Sequence, residues 1–335
     1  MKLLAVLALL AGLGPVQAET WPAASLSSDR RLLAYALTRD RPQDFPGGWQ
    51  ATVGALVAEA GLSGRTFAPR VQLAPTLTWD ASINGGIPSD TIQLGGLTFT
   101  VDPDSRAVAG LLPGLSLGVV QVTGLAPGRG LRATASVWGA RSDGLAVVRL
   151  AGEVCGLADL GAWTFADLCL SHEETRRELS TAELSRASLT VTRLSGDGAQ
   201  VRRMALRLGG EGRRGDHRPT AALTYETAGR LGLVTATLEG GALVPGWQAV
   251  ISRQSLGLRR SVLGAPMGVT LAHSHEAGER FFGQARVDDV WSLQAERWMA
   301  RGVKASVGYQ WRASTQAAQE GGTVLFALDL AGLLR

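Results

Sequence analysis

The C-terminal stretch GVKASVGYQWRASTQAAQEGGTVLFALDL, residues Gly302–Leu330, decides the fold. The odd positions of Val303–Trp311 are apolar or aromatic, whereas the even positions carry Lys, Ser, Gly and Gln. Since successive side chains of a β-strand point to opposite faces, the pattern predicts a strand with one apolar and one polar face. After a polar turn over Ser314–Gly322, a second alternating run follows at Val324, Phe326, Leu328 and Leu330.

The same period of two begins at Pro69 and continues to the C-terminus. Val71–Trp79, Leu131–Val137 and Ala187–Val191 alternate clearly, and Gly-rich turns separate the runs. We expect roughly 12–14 strands of about 10 residues, the length that a tilted membrane-spanning strand needs. No helical period interrupts the runs, which excludes a βαβ architecture. Further runs centre on Leu206, Leu223, Val234, Ile251, Val269, Ala285 and Leu293.

Alternation alone fits two folds, because a soluble sandwich and an outer-membrane barrel differ only in which face meets water. Three features favour the barrel: evenly long strands, arginine on the polar faces, and aromatic residues near strand ends. The sequence therefore predicts an all-β protein, an antiparallel transmembrane β-barrel of about 12–14 strands preceded by a short helical N-terminal segment. A soluble periplasmic β-rich binding protein is the alternative.

Two sets of residues follow from the barrel interpretation. Charged residues on the polar faces are expected to face the lumen, and large aromatic residues are expected to form interface girdles. The predicted lumen-facing residues are Arg70, Arg132, Arg186, Arg207, Arg286, Lys304 and Arg312. The predicted girdle residues are Trp79, Trp138, Trp247, Trp291, Trp298, Tyr309 and Trp311. Glu226, Asp288 and Glu296 are fewer on the same polar faces, so an open pore is expected to prefer anions.

The N-terminus divides into two parts ahead of the barrel. Residues 1–18 have the charged start, apolar run and Val16-Gln17-Ala18 end of a secretory signal peptide, which predicts a mature chain from Glu19. Residues 19–64 predict two short helices, Arg30–Arg39 after an Asp29 cap and Trp49–Ala60 before Gly61. Residues 65–335 form the predicted barrel.

Composition narrows the function classes. The chain of 335 residues has 43 Gly, 9 Trp and only 19% charged residues, and its net charge of +4 is too weak and dispersed to indicate nucleic acid. No Gly-x-Ser-x-Gly, nucleotide loop or HExxH motif is present, so neither an enzyme nor a cofactor is predicted. His172-Glu173-Glu174 and His273-Ser274-His275 are metal candidates, but without an identifiable third ligand they are interpreted as loop histidines.

Cys155 and Cys169 are the only cysteines. In an exported chain they predict a disulfide, because they flank a segment in which Asp159-Leu160-Gly161 offers a turn that places them opposite each other. The alternative is a pair of free buried thiols.

The segment Trp79-Asp80-Ala81-Ser82-Ile83-Asn84-Gly85-Gly86 resembles the Tyr-Asp-Ser-Asn-Ile-Asn-Gly-Gly type segment of the surface lipoprotein assembly modifier barrels. The resemblance implies an outer-membrane barrel of about 14 strands behind a helical N-terminal part, over Pro69–Arg335. It also implies a role in carrying lipoproteins to the cell surface.

Three functions remain open at this point. The first is a pore, or a translocation or assembly channel, in the outer membrane of a Gram-negative bacterium. The second is a structural or surface-interaction barrel without an open channel, and the third is the soluble binding protein. The expected partners are outer-membrane lipid, the barrel assembly machinery, and lipoprotein clients or small anions.

Overall fold

The computed structural model describes residues 20–94, 97–197, 199–281, 283–299 and 303–330. It begins with three short helices, α1 (Thr20–Ala24), α2 (Arg30–Asp40) and α3 (Trp49–Glu59). Asp29 caps α2, its side chain accepting a hydrogen bond from the Arg31 amide. Gly61 follows α3 with a φ of 78°, as a glycine beyond a helix end does. Both predicted helices are therefore confirmed, whereas α1 was missed.

Strands make up most of the rest of the chain. Fourteen strands of the described residues form one closed barrel, and two more, β2 (Thr91–Leu94) and β3 (Leu97–Thr100), form a separate hairpin. The barrel strands are β1 (Arg70–Asp80), β4 (Gly110–Ala126), β5 (Arg129–Ser142), β6 (Leu145–Gly161), β7 (Thr164–Arg176), β8 (Thr181–Asp197), β9 (Gln200–Arg213), β10 (Asp216–Gly229), β11 (Gly232–Gly241), β12 (Ala249–Val262), β13 (Ala265–Phe281), β14 (Gln284–Trp298), β15 (Lys304–Ser314) and β16 (Gly321–Asp329).

Each barrel strand pairs antiparallel with its neighbours in sequence, and β1 closes the barrel. On one side β1 pairs with β4, and on the other with β16, where Leu77 lies opposite Leu328. The Leu330 amide donates to the Pro75 carbonyl at 3.0 Å beside this seam. Closure leaves no unpaired strand edge among these fourteen strands. The predicted antiparallel barrel is thus confirmed.

The apolar face of the strands is the outer face. Val71 and Leu170 are 66% and 62% exposed, and large apolar side chains of the other strands share the same surface. A soluble protein buries such residues, whereas a barrel in lipid exposes them. The polar faces point inward, as the register of paired residues across the sheet requires.

The two ends of the barrel differ in their connections. One end, here called the turn end, has the two-residue connections 127–128, 162–163, 230–231 and 263–264, together with the start of β1 and the end of β16. The other end, the loop end, has the longer connections 81–109, 177–180, 242–248 and 315–320.

Residues 20–62, here called the plug, fill the turn end from inside. Leu32, Tyr35 and Leu62 pack in one apolar cluster with Leu157, Phe165, Leu194, Val201 and Leu233 of the barrel wall. A second cluster joins Leu37 to Leu56 and holds α2 on α3. The approach is close, because a Cβ on Gly130 of β5 would lie 2.1 Å from the Gly61 carbonyl oxygen.

The loop end is organised by residues 81–109. Ile83 packs inward on Leu112, Ala140 and Val147 of the wall. The segment around Asn84 forms a tight turn, in which the Asn84 side chain donates to the Arg106 carbonyl and accepts from the Gly86 and Val108 amides. The octapeptide that carries the family resemblance therefore has a structural role in folding this loop.

Three sequence expectations about the strands need correction. Barrel strands span 9 to 17 residues rather than about 10, since several extend beyond the apolar band. The runs centred on Ala285 and Leu293 belong to one strand, β14. The alternation is clear in the first and last strands but weak in β6 and β7, so these two strands were not predicted. Among the described residues, no helix is both long and apolar enough to cross a membrane.

Candidate functional site: the barrel lumen

All seven predicted lumen residues lie on the inner face, and each forms an ion pair with a carboxylate. The network around Asp288 is the densest, since this fully buried carboxylate binds Arg286, Arg312 and the Ser314 hydroxyl. The remaining pairs are Arg70 with Glu59, Arg132 with Glu153, Arg186 with Glu173 and Glu211, Arg207 with Glu239, Arg286 with Glu279, Arg312 with Glu276, and Lys304 with Glu296.

Carboxylates are consequently more numerous on the inner face than the sequence analysis assumed. The sequence analysis named Glu226, Asp288 and Glu296 on these faces. The wall also carries inward acids on strands whose alternation was weak or unassigned: Glu153, Asp167, Glu173, Glu211, Glu239 and Glu276. Because nearly every basic group is neutralised by a neighbour, the lumen charge is mixed rather than strongly positive.

One buried network joins the plug to the wall. Arg31 of α2 binds Asp29 at 3.0 Å and Asp167 of β7 at 2.9 Å, and Arg203 of β9 binds Asp29 at 2.8 Å and Glu226 at 3.2 Å. Burial alone raises the pKa of Asp29, but Arg31 and Arg203 hold it below its ordinary value of 3.8. The plug is therefore held by charge as well as by apolar contact.

Cavities occupy the lumen beyond the plug. One of about 370 Å³ lies between the plug and the wall, and is lined by Ser28, Arg30 and Arg132 among others. A second, of about 510 Å³, lies nearer the loop end beside residues 242–248. The two share Glu153, Ser188 and Arg207 in their linings, so they adjoin each other. A third cavity of about 460 Å³ lies beside Trp138 and Arg149.

Four of the predicted girdle residues lie exposed on the outer face. Trp291 lies opposite Trp311 in the register, Tyr309 is two residues from Trp311 on the same face, and Trp79 is the penultimate residue of β1. Trp79 and Trp311 lie towards the loop end of their strands, whereas Trp291 and Tyr309 lie at the middle of β14 and β15.

The girdle prediction is wrong for Trp138, Trp247 and Trp298, which all point inward. Trp138 donates a hydrogen bond to Thr76 and lies under Arg149. Trp247 is buried in the loop at 242–248, beneath the Arg218 guanidinium, and Trp298 stacks with the lumen-facing Lys304. Each indole packs against a cation, which satisfies its π face inside the barrel.

The two cysteines form the predicted disulfide. Cys155 of β6 and Cys169 of β7 lie directly opposite each other on the inner face, with their Cα atoms 4.1 Å apart. The turn between the strands is at Ala162 and Trp163, both with positive φ, rather than at Asp159-Leu160-Gly161. Glu153 lies beside the two sulfur atoms in the one candidate metal cluster of the described residues, but the disulfide removes both thiolate ligands.

The histidines of the two metal candidates lie on the outer face, and each contacts a neighbouring side chain. His172 hydrogen-bonds Ser185, while His273 and His275 both contact Asp289, at 3.3 Å and 3.2 Å. His273 also stacks on Trp291, with ring centroids 4.4 Å apart. The interpretation as loop histidines is wrong, because His172 lies within β7 and His273 and His275 lie within β13.

Basic groups of the lumen that were not predicted from the sequence include Arg149, Arg203, Arg218, Arg253 and Arg259. Arg203 and Arg218 lie on runs whose centres were recognised but whose faces were not assigned. Arg253 follows a register shift between Val250 and Ser252, so counting alternate residues through Ile251 gives no reliable face for it.

No family model matches this sequence, and no curated protein matches it. Solved structures with a similar fold include OpdK of Pseudomonas aeruginosa with vanillate, at a TM-score of 0.42 and 9% identity, covering 78% of this chain and 98% of that one. A BenF-like porin from Pseudomonas fluorescens Pf-5 has a TM-score of 0.40 and 6% identity, covering 78% and 97%. OccK2 (OpdF) of Pseudomonas aeruginosa with glucuronate has a TM-score of 0.38 and 10% identity, covering 78% and 96%.

Similarities of this size carry no argument about what the chain does. The barrel architecture rests instead on the strand pairing of this chain itself. The similar structures give no support to the specific resemblance to surface lipoprotein assembly modifier proteins.

Proposed function

We propose that this chain is an outer-membrane β-barrel of a Gram-negative bacterium that passes small hydrophilic solutes, with the plug restricting its lumen. The observation that carries the proposal is the combination of an apolar outer surface with a charged inner surface that encloses adjoining polar cavities. A soluble binding protein would show the opposite arrangement of its two faces.

The size of the barrel supports a solute path. Barrels of about 8 strands are filled by their own side chains, and those of 16–18 strands leave an aqueous channel. Fourteen strands lie between these limits, so a lumen of this size needs further groups to close it. The plug supplies such groups at the turn end, and Ile83 packs inward on the wall at the loop end.

The proposal includes the expected topology. Residues 1–18, the predicted signal peptide, lie outside the described residues; we propose that they direct export and that the mature chain starts at Glu19. Lipid on the outer face and the barrel assembly machinery are the corresponding partners. We do not extend the proposal to lipoprotein export, because the helical part before the barrel consists of three short helices, of which α1 and α2 dock on the wall and α3 packs on α2.

A structural barrel without an open channel is the second candidate. The observation that favours it is the network of Asp29, Arg31, Asp167, Arg203 and Glu226, which holds the plug in place by buried ion pairs. Removing one partner of a buried pair costs about 3–5 kcal/mol, so spontaneous release of such a plug is rare.

Planar-bilayer conductance tests the proposal and separates the two candidates. The mature chain and a version lacking Glu19–Gly64 are reconstituted under a salt gradient, after fractionation has shown whether the chain enters the membrane. Conductance that rises on deletion supports a plugged channel. If neither form conducts, the structural barrel becomes the favoured function. Recovery of the protein in the soluble periplasmic fraction without detergent rejects both candidate functions.

A further inference from the structure

The second lumen cavity, here called the arginine cavity, has an unusual charge balance. Its volume of about 510 Å³ is within the range of small-molecule sites. Four basic and three acidic side chains line it. These are Arg186, Arg207, Arg218 and Arg253, with Glu153, Glu211 and Glu239.

Three of the four arginines form ion pairs with carboxylates of the wall. Glu211 binds Arg186 at 2.9 Å and Arg218 at 2.7 Å. Arg218 also donates to the Val250 carbonyl, and Arg207 binds Glu239 at 3.4 Å. The third acid, Glu153, pairs with Arg132, which lines the adjoining cavity. These contacts leave the acids of the arginine cavity neutralised.

Arg253 is the exception among these described residues, because it forms no hydrogen bond or ion pair with the protein. It lies opposite Glu239 in the β11–β12 register and therefore faces the lumen, yet Glu239 turns to Arg207 instead. Its side chain is exposed to the cavity space. One guanidinium is thus left to bind an anion that the protein does not supply.

The other groups of the cavity indicate what the remainder of a ligand would contact. Ser171, Ser188 and the ion-paired carboxylates and guanidinium groups offer hydrogen bonds to hydroxyls. The one indole that lines the arginine cavity, Trp247, has a face covered by Arg218 at 5.3 Å, so little free aromatic surface remains for stacking a ring.

We propose that the arginine cavity binds a small monovalent hydroxylated carboxylate, with the carboxylate on Arg253 and the hydroxyls on the surrounding polar groups. A single negative charge neutralises the one unpaired cation, whereas a dianion would oppose Glu239 and Glu211. The assignment rests on the proposed function, since it names the solute class of that lumen. Arg253 is the specificity-determining residue of this site.

Calorimetric titration of the full mature chain in detergent tests the assignment with three six-carbon probes. Gluconate carries a carboxylate and hydroxyls, sorbitol carries hydroxyls alone, and N-methylglucamine replaces the carboxylate by a cation. We expect binding of gluconate and none of the other two. Equal binding of sorbitol, or no binding of gluconate, overturns the assignment.

Variants locate the binding. Arg253→Gln should weaken gluconate binding by about tenfold or more, the loss expected for a charge-assisted hydrogen bond. Arg253→Lys keeps the charge and should retain part of the affinity. Arg297→Gln removes the same charge from the outer face of β14 and should bind gluconate as the unmodified chain does. Equal affinity in Arg253→Gln, or equal loss in Arg297→Gln, contradicts the assignment.

Heat-modifiable gel mobility confirms that each variant is a folded barrel. The titration needs no bilayer, so its outcome is separate from that of the conductance test. If the chain binds gluconate but does not conduct, the channel proposal fails and the binding site stands. If the chain conducts but does not bind gluconate, the binding site fails and the channel proposal stands.

Discussion

The Arg203 guanidinium lies 2.8 Å from the Asp29 carboxylate, and this contact joins the wall strand β9 to the N-cap of helix α2. Asp29 therefore has two roles, since it caps the helix that forms the plug and binds the plug to the barrel. Both roles need the ionised carboxylate, because capping and ion pairing each use its negative oxygen atoms.

Acid should loosen the plug. Arg31 and Arg203 lower the pKa of Asp29 below 3.8, so its contribution to docking is complete above that value and is lost as the pH falls through the lowered pKa. We expect the conductance, measured in planar bilayers at constant salt, to rise as the pH is lowered below 4. Asp29→Asn should raise conductance already at neutral pH and reduce the acid response. An unchanged acid response in Asp29→Asn would show that another group is responsible.

A side chain at Gly130 should displace the plug by steric contact. A Cβ there would lie 2.1 Å from the Gly61 carbonyl oxygen, so Gly130→Val cannot be accommodated while the plug is docked. We expect higher conductance and faster proteolysis of residues 20–62. Gly139→Val, on the same strand with open space around its Cβ, is the matched control. If both variants behave alike, the plug does not contact β5 as described.

The disulfide should be present in the isolated protein and should stabilise it. It closes a loop of 14 residues in sequence separation, for which chain entropy suggests up to about 3 kcal/mol, and less in a chain already held by a membrane. Thiol alkylation in denaturant should find no reactive cysteine before reduction and two after it. Cys155→Ala with Cys169→Ala should lower the unfolding temperature. Two alkylatable thiols in the unreduced protein would disprove the pairing.

Arg177 should hold the loop at 81–109 in place. It pairs with Asp80 at 2.9 Å and donates to the Ser82 carbonyl, at the start of that loop. We expect Arg177→Ala to accelerate tryptic cleavage after Arg106 in the intact barrel. Its neighbour Arg176 pairs only with Glu174 on the exposed face, so Arg176→Ala should leave the cleavage rate unchanged. Equal rates in all three proteins would contradict this role of Arg177.

The lumen should show a small anion preference rather than a strong one. Most of its basic groups are paired, and Arg253 is the unpaired cation of the arginine cavity among the described residues. A reversal potential measured under a potassium chloride gradient should indicate weak anion selectivity, reduced in Arg253→Gln and unchanged in Arg297→Gln. A cation-selective pore would contradict the charge balance of the inner face.

The sequence by itself determined the class of fold, the two longer helices and the disulfide. Strand alternation over the chain sorts apolar from polar side chains, and a closed sheet then has to place one set outside and the other inside. The alternation in Val303–Trp311 is enough to place Lys304 and Arg312 on one face and Tyr309 on the other. The cap at Asp29 and the glycine at Gly61 are local signals, so they too could be read without the rest of the chain.

Only the tertiary structure decided which charges meet and which cations the inward tryptophans contact. Glu211 and Arg218, seven residues apart, face each other because β9 and β10 form a hairpin, whereas Asp29 and Arg203 are 174 residues apart. Alternation alone puts Trp138 on the face of Arg132 and Trp298 on the face of Glu296, but it does not reveal the cations that they contact on neighbouring strands. Trp247 lies in a loop, where alternation assigns no face, and only the folded chain places it beneath Arg218. The physical reason is that alternation fixes a face, while register, bulges and the docked plug fix the neighbours on that face.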